Sequence, residues 1–183
     1  MMPELSMHIM DIIENGISAG AYHIDLFIEE YIKKNLLKIT IIDNGKGMDV
    51  HTIEKALEAA YSTKEGKGWG FGIPLFKQTA EQCNGYFDIT SKEKMFTKVV
   101  AEMELSNIDR PPFGDLVGTI VSIVTGHPDI DLYMVVRKED NKYEFDTRII
   151  REVIGDINLA TPSVLEYIRK DIEKGLEEIE FVD

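Results

Sequence analysis

Cysteine is nearly absent: the 183-residue chain holds one, Cys83, so an intramolecular disulfide framework and a cysteine-based metal cluster are both excluded. No stretch reaches the roughly 18 apolar residues that a membrane-spanning helix needs. The opening Met1-Met2-Pro3-Glu4 lacks the basic-then-apolar order of a secretory signal, and the expectation is a soluble, cytoplasmic protein. Positive charge is also short. Lys and Arg number 20 against 33 Asp and Glu, a formal net charge of −13. Such a surface repels phosphate backbones and anionic lipid, which argues against nucleic acid or membrane as the main partner. What the chain does have is a hydrophobic fraction of 44%, enough to bury a core. Its length suits one domain, or one domain with an extension.

Periodicity sets out the elements. Leu5, Ile9, Ile12, Ile13 and Ile17 fall in one arc at 100° per residue, which predicts a helix from residue 3 to about 19, stopped by Gly20. Ile24, Leu26 and Ile28 alternate with polar neighbours as a strand does, and residues 38–42 form a second strand across a polar hairpin loop. Helices over 50–60 and 73–84 flank a glycine-rich stretch, and strands follow over 86–90 and 97–105. Arg110-Pro111-Pro112 then breaks any regular element. A boundary placed there divides the chain into a domain, 1–106, and a C-terminal extension, 107–183, made of a helix, a hairpin and two further helices.

Three constellations can carry chemistry. Asp11 and Asn15 lie four apart and stack on the helix face opposite the isoleucines. There the amide oxygen can ligate Mg²⁺ and the carboxylate can orient or deprotonate a water; a solvated polar face has the same pattern. Asp43-Asn44-Gly45-Lys46-Gly47-Met48 closes a strand. Asp43 can accept from an exocyclic amine while Gly45 and Gly47 let a flat base approach the backbone; an ordinary turn uses the same residues. Gly66-Lys67-Gly68-Trp69-Gly70-Phe71-Gly72 runs straight into a helix. Its amides and the positive helix end suit an anion, and a hinge would also use them. No Gly-Lys-Ser/Thr closes the loop and no strand precedes it, which excludes a phosphate-lysine loop and a Rossmann turn. Cys83 reads as a packing residue.

In their order and spacing these residues closely resemble the GHKL ATPase superfamily, which covers DNA gyrase, the heat-shock ninety chaperone, histidine kinases and mismatch-repair ATPases. Glu14-Asn15-Gly16-Ile17-Ser18-Ala19-Gly20-Ala21 resembles the N box, Asp43 to Met48 the G1 box, and Tyr61-Ser62-Thr63-Lys64-Glu65-Gly66 through Gly72 the G2 box. The resemblance spans about residues 4–105. It implies an α/β two-layer sandwich of Bergerat type, a mixed, mostly antiparallel sheet with helices on one face, here followed by a C-terminal α/β extension. It implies that Asn15 holds Mg²⁺ and that Asp43 accepts from the adenine amino group, with Gly45 and Gly47 near the base. Lys64 and the loop through Gly68, Gly70 and Gly72 would meet the phosphates as a mobile lid, and Thr97 would help to read the adenine.

Asp11 stands where hydrolysing members carry Glu and is the candidate catalytic base. Trp69 and Phe71 replace smaller loop residues, and Phe96 stands where a glycine often precedes the threonine. Residues 107–131 resemble part of stand-alone histidine-kinase-like domains encoded near iron-only hydrogenases. The implied function is a Mg-ATP-binding regulatory ATPase or protein kinase without its own phosphoacceptor domain, acting on a protein partner. The alternative is a non-hydrolysing sensor of ATP or ADP that acts by binding a protein partner.

Overall fold

A computed structural model describes residues 4–58 and 72–181. Helix α1 (Leu5–Ser18) turns Leu5, Ile9, Ile12 and Ile13 inward, as its isoleucine arc requires. Its first turn has no side-chain cap. The carbonyls of Pro112 and Phe113 accept instead from the Leu5 and Ser6 N–H groups, at 3.0 and 2.9 Å. These are two of the donors that every helix start leaves unpaired. The segment that interrupts regular structure around Pro111 and Pro112 therefore braces the helix that carries Asp11 and Asn15.

Strands β1 (His23–Tyr31) and β2 (Leu36–Asp43) form a hairpin through a single 3₁₀ turn, Ile32–Lys34. Helices α2 (Val50–Glu58) and α3 (Gly72–Gln82) follow, then the hairpin of β3 (Tyr86–Lys92) and β4 (Phe96–Glu104). The extension contributes α4 (Leu116–Gly126), β5 (Asp131–Lys138), β6 (Asn141–Asp146), α5 (Thr147–Ile154) and α6 (Pro162–Glu178). All six strands join one sheet in the order β3-β4-β2-β1-β5-β6. Each neighbouring pair is antiparallel except β1 and β5, which run parallel from His23 opposite Asp131 to Glu30 opposite Lys138. The hairpin beyond residue 106 thus continues the sheet of the preceding residues, and α4 sits in the helical layer against α1 and α6.

One face of this sheet is apolar and covered. Leu26, Ile39, Ala101 and Met134 all point to it, and they share one core with Ile120 and Ile123 of α4 and Ile168 and Ile172 of α6. The opposite face alternates charges with half-buried apolar residues. It carries the Lys38–Glu102 ion pair at 3.0 Å and the edge-on pair of Phe27 and Tyr133. The architecture is the two-layer α/β sandwich that the family resemblance implied. Among the described residues, no helix is long and apolar enough to cross a membrane.

Candidate functional site

Asp43 is the last residue of β2 and its side chain is buried. Strand alternation turns it to the helix face, where burial raises its carboxyl above the ordinary range and the Gly45 N–H, 2.9 Å from Oδ1, opposes that rise. Helix α1 presses directly on this carboxylate. A Cβ at Gly16 would lie 2.9 Å from the Asp43 Cβ, so any larger residue would displace Asp43. The neighbouring Asn44 fastens the start of β1 instead, because its Oδ1 accepts from the Tyr22 and His23 N–H groups, both at 3.0 Å. Gly47 has φ +63°, and a Cβ there would stand 2.1 Å from the Lys92 carbonyl oxygen. Only glycine lets the turn lie on the β3–β4 hairpin so closely.

Thr97 sits opposite Asp43 across the β2–β4 ladder, on the same face. Its hydroxyl is 3.0 Å from Ser91 Oγ, which also accepts from the Met48 N–H and donates to the Phe96 carbonyl, each at 2.8 Å. Asp43, Met48 and Thr97 line a cavity of about 290 Å³, near the lower end of the ~300–1,000 Å³ typical of small-molecule sites. Ile12, Asn15, Gly16, Ser18 and Ala19 of α1 and its C-terminal end form one wall. Asp43, Lys46, Gly47 and Met48 form a second, and Ala56, Ile73, Thr97 and Val99 close it.

Asn15, Asp43, Gly47 and Thr97, singled out from sequence, therefore line one cavity. Gly45 holds the Asp43 carboxylate and is not itself a lining residue. Asp11 and Gly72 meet beside the cavity: a Cβ at Gly72 would lie 2.8 Å from the Asp11 Cβ, so α3 begins against Asp11. Burial, and then the nearby Glu14 charge, raise the Asp11 carboxyl. Glu14 reaches the other way, with Oε1 3.0 Å from His127 Nε2 at the end of α4. Lys64, Gly68 and Gly70 lie outside the described residues.

Sequence reasoning passed over Lys46, Met48, Ala56, Ile73, Val99 and Ser91. Lys46 and Met48 belong to the turn already singled out, and the lysine between two glycines was a usable signal. Ala56, Ile73 and Val99 gave none, because apolar residues that wall a ligand cavity have the periodicity of core residues. Among the described residues no three His, Cys, Asp or Glu side chains converge on a possible metal site.

A buried strand-end carboxylate, a glycine-hinged turn and a carboxamide on a helix thus surround one cavity on an α/β sandwich. Residues 3–107 match the family of histidine kinase-, DNA gyrase B- and HSP90-like ATPases, and the chain belongs to that family. It is 30% identical over 91 residues to a protein named as a putative NtrY-like sensor histidine kinase of Rickettsia typhi, a match covering 49% of this chain and 15% of that protein. It is 32% identical over 97 residues to the sensor protein DegM of Bacillus sp. strain B21-2, covering 53% of this chain and 26% of DegM. The matched part is thus a small share of each relative's length. In fold, the chain is similar to the N-terminal domain of a DNA repair protein, with TM-score 0.54 and 17% identity, over 85% of this chain and 58% of that one. The chain carries an ATP-binding domain of the kinase and ATPase type.

Proposed function

We propose that this chain binds Mg-ATP and acts as a regulatory ATPase or protein kinase of histidine-kinase-like type, with the phosphoryl acceptor on a protein partner. The observation that carries the reading is the Asp43 carboxylate: buried, held by the Gly45 N–H through Oδ1, and lining the cavity beside Thr97. In this reading Asp43 accepts from the adenine amino group, and Gly16, Gly45 and Gly47 keep side chains away from the carboxylate and its turn. Asn15 holds Mg²⁺ together with the phosphates, where the ion would neutralise charge developing on the transferred group. Asp11 orients the attacking water or acceptor hydroxyl and takes its proton. Its raised carboxyl suits a base working nearer neutral pH. Lys64 and the loop through Gly68, Gly70 and Gly72 contribute phosphate contacts.

His8 is not presented to a phosphoryl group. It is fully buried, its Nε2 is 3.0 Å from the Thr79 hydroxyl, and its ring stacks on Phe76. This supports an acceptor elsewhere. A second reading, an adenine-nucleotide sensor that hydrolyses little, is favoured by Asp11 itself, one methylene shorter than the Glu expected of hydrolysing members. Nucleotide titration followed by calorimetry tests the binding step. Asp43→Asn is expected to weaken ATP by about 1–3 kcal/mol, the cost of mispairing a buried polar partner. Equal affinity of the two proteins removes Asp43 as the amine acceptor. Steady-state turnover by wild-type protein then separates ATPase from sensor, and labelled phosphate appearing on a second protein separates kinase from both.

A further inference from the structure

Ser91 lies on β3, half-buried, and is not itself a lining residue of the cavity. It nevertheless governs what the cavity presents. A serine hydroxyl has one hydrogen to give and two lone pairs to accept with. Ser91 gives its hydrogen to the Phe96 carbonyl at 2.8 Å and accepts the Met48 N–H at 2.8 Å. One lone pair remains, and the Thr97 hydroxyl stands 3.0 Å from it. The inventory closes in one way: the Thr97 O–H donates to Ser91. Thr97 lines the cavity, and its hydroxyl then has lone pairs alone left to offer.

We infer that Ser91 is a positioning residue for base selection: by taking the Thr97 hydrogen it makes Thr97 an acceptor, so the site favours a 6-amino purine over a 6-oxo purine. This rests on the proposed ATP reading of the same cavity and deepens it. Asp43, ladder partner of Thr97, is the second acceptor. Two acceptors side by side match a primary amine, which has two hydrogens to donate, one to each, directly or through one water. A carbonyl at the same place would confront lone pairs on both sides. The same serine accepts from the Met48 backbone next to Gly47, so the turn of the cavity wall and the Thr97 rotamer are fixed through one oxygen.

The test compares dissociation constants for ATP and inosine triphosphate, which differ in this substituent at the six-position and in protonation of the adjacent ring nitrogen. Wild-type protein is expected to prefer ATP. In Ser91→Ala the Thr97 hydroxyl is released to donate, and the ATP preference is expected to fall at least about fivefold. Ser91→Thr, which keeps the hydroxyl, is expected to retain the preference. A purely structural serine would weaken both nucleotides equally and leave the ratio unchanged, and that result overturns the inference. Should Ser91→Ala fail to fold, Thr97→Val serves instead, and an unchanged ratio there also overturns it. Wild-type protein that binds no ATP removes the nucleotide reading itself. Wild-type protein that binds ATP and inosine triphosphate equally removes the base-selection role alone.

Discussion

Asp43, Gly47 and Asp11 show how single residues set the chemistry. Asp43 is useful because it is buried, and it stays in place because Gly16 leaves it room and Gly45 holds one oxygen. Gly47 bears the tightest backbone approach in the turn. Gly47→Ala combines φ +63° with a contact at 2.1 Å from a backbone oxygen, and is expected to cost more than about 1 kcal/mol of stability, read by urea unfolding. A midpoint equal to that of wild type would show that the turn moves freely from the β3–β4 hairpin. In the proposed function Asp11 belongs to the chemical step. Asp11→Asn keeps size and loses basicity, so turnover is expected to fall by ~10²–10⁴ with nucleotide affinity near that of wild type. Steady-state kinetics check this, and an equally active variant would dismiss Asp11 as base.

Helices α1 and α3 meet through His8, which stacks on Phe76 with ring centroids 4.8 Å apart and reaches Thr79. Burial lowers His8 from the ordinary imidazole range to about 4. The unfolded chain protonates this residue near pH 6.5 and the folded chain near 4. Between those values the unfolded state binds the extra proton, so stability contributed here is present above pH 6.5 and is lost as pH falls toward 4. His8→Gln has no titrating group. The stability of wild type relative to this variant is expected to drop by up to about 3 kcal/mol between pH 7 and 4, measured by urea unfolding at each pH. Parallel pH profiles would place the acid sensitivity elsewhere. Since α1 carries Asp11 and Asn15 and α3 begins at Gly72 against Asp11, loosening this contact would also loosen the site.

Across the molecule, the residues after 106 are joined to the ATPase region by backbone and core together. β5 pairs along the whole of β1 except its last residue, Pro112 and Phe113 cap α1, and Phe113 packs edge-on against Phe181 at 5.1 Å. His127 adds a polar contact to Glu14, one residue before Asn15. A fragment of residues 1–107 would leave the β1 edge unpaired and uncover the core beneath α4 and β5. It is expected to lose the cooperative urea transition of the full chain, followed by circular dichroism. A fragment that unfolds cooperatively at the same midpoint would show that residues 107–183 are an independent unit.

Much of this was legible along the chain. The isoleucine arc of α1, the alternation in β1 and the stop at Gly20 are local, and local sterics and burial periodicity set them without reference to the rest of the fold. Asn15 and Asp43 stood out as a helix-face carboxamide and a strand-end carboxylate, whereas Thr97 was named only through the family resemblance; the fold brings all three to one cavity. Other features depend on residues distant in sequence. The pairing of β5 with β1 needs His23 and Asp131 side by side, and nothing in either segment names the other. Ser91 looks like any strand serine until Met48, Phe96 and Thr97 converge on its oxygen. Hydrogen bonds and burial are properties of neighbours in space, so the direction of the Thr97 hydrogen and the raised carboxyls of Asp11 and Asp43 exist only once the chain has closed around them.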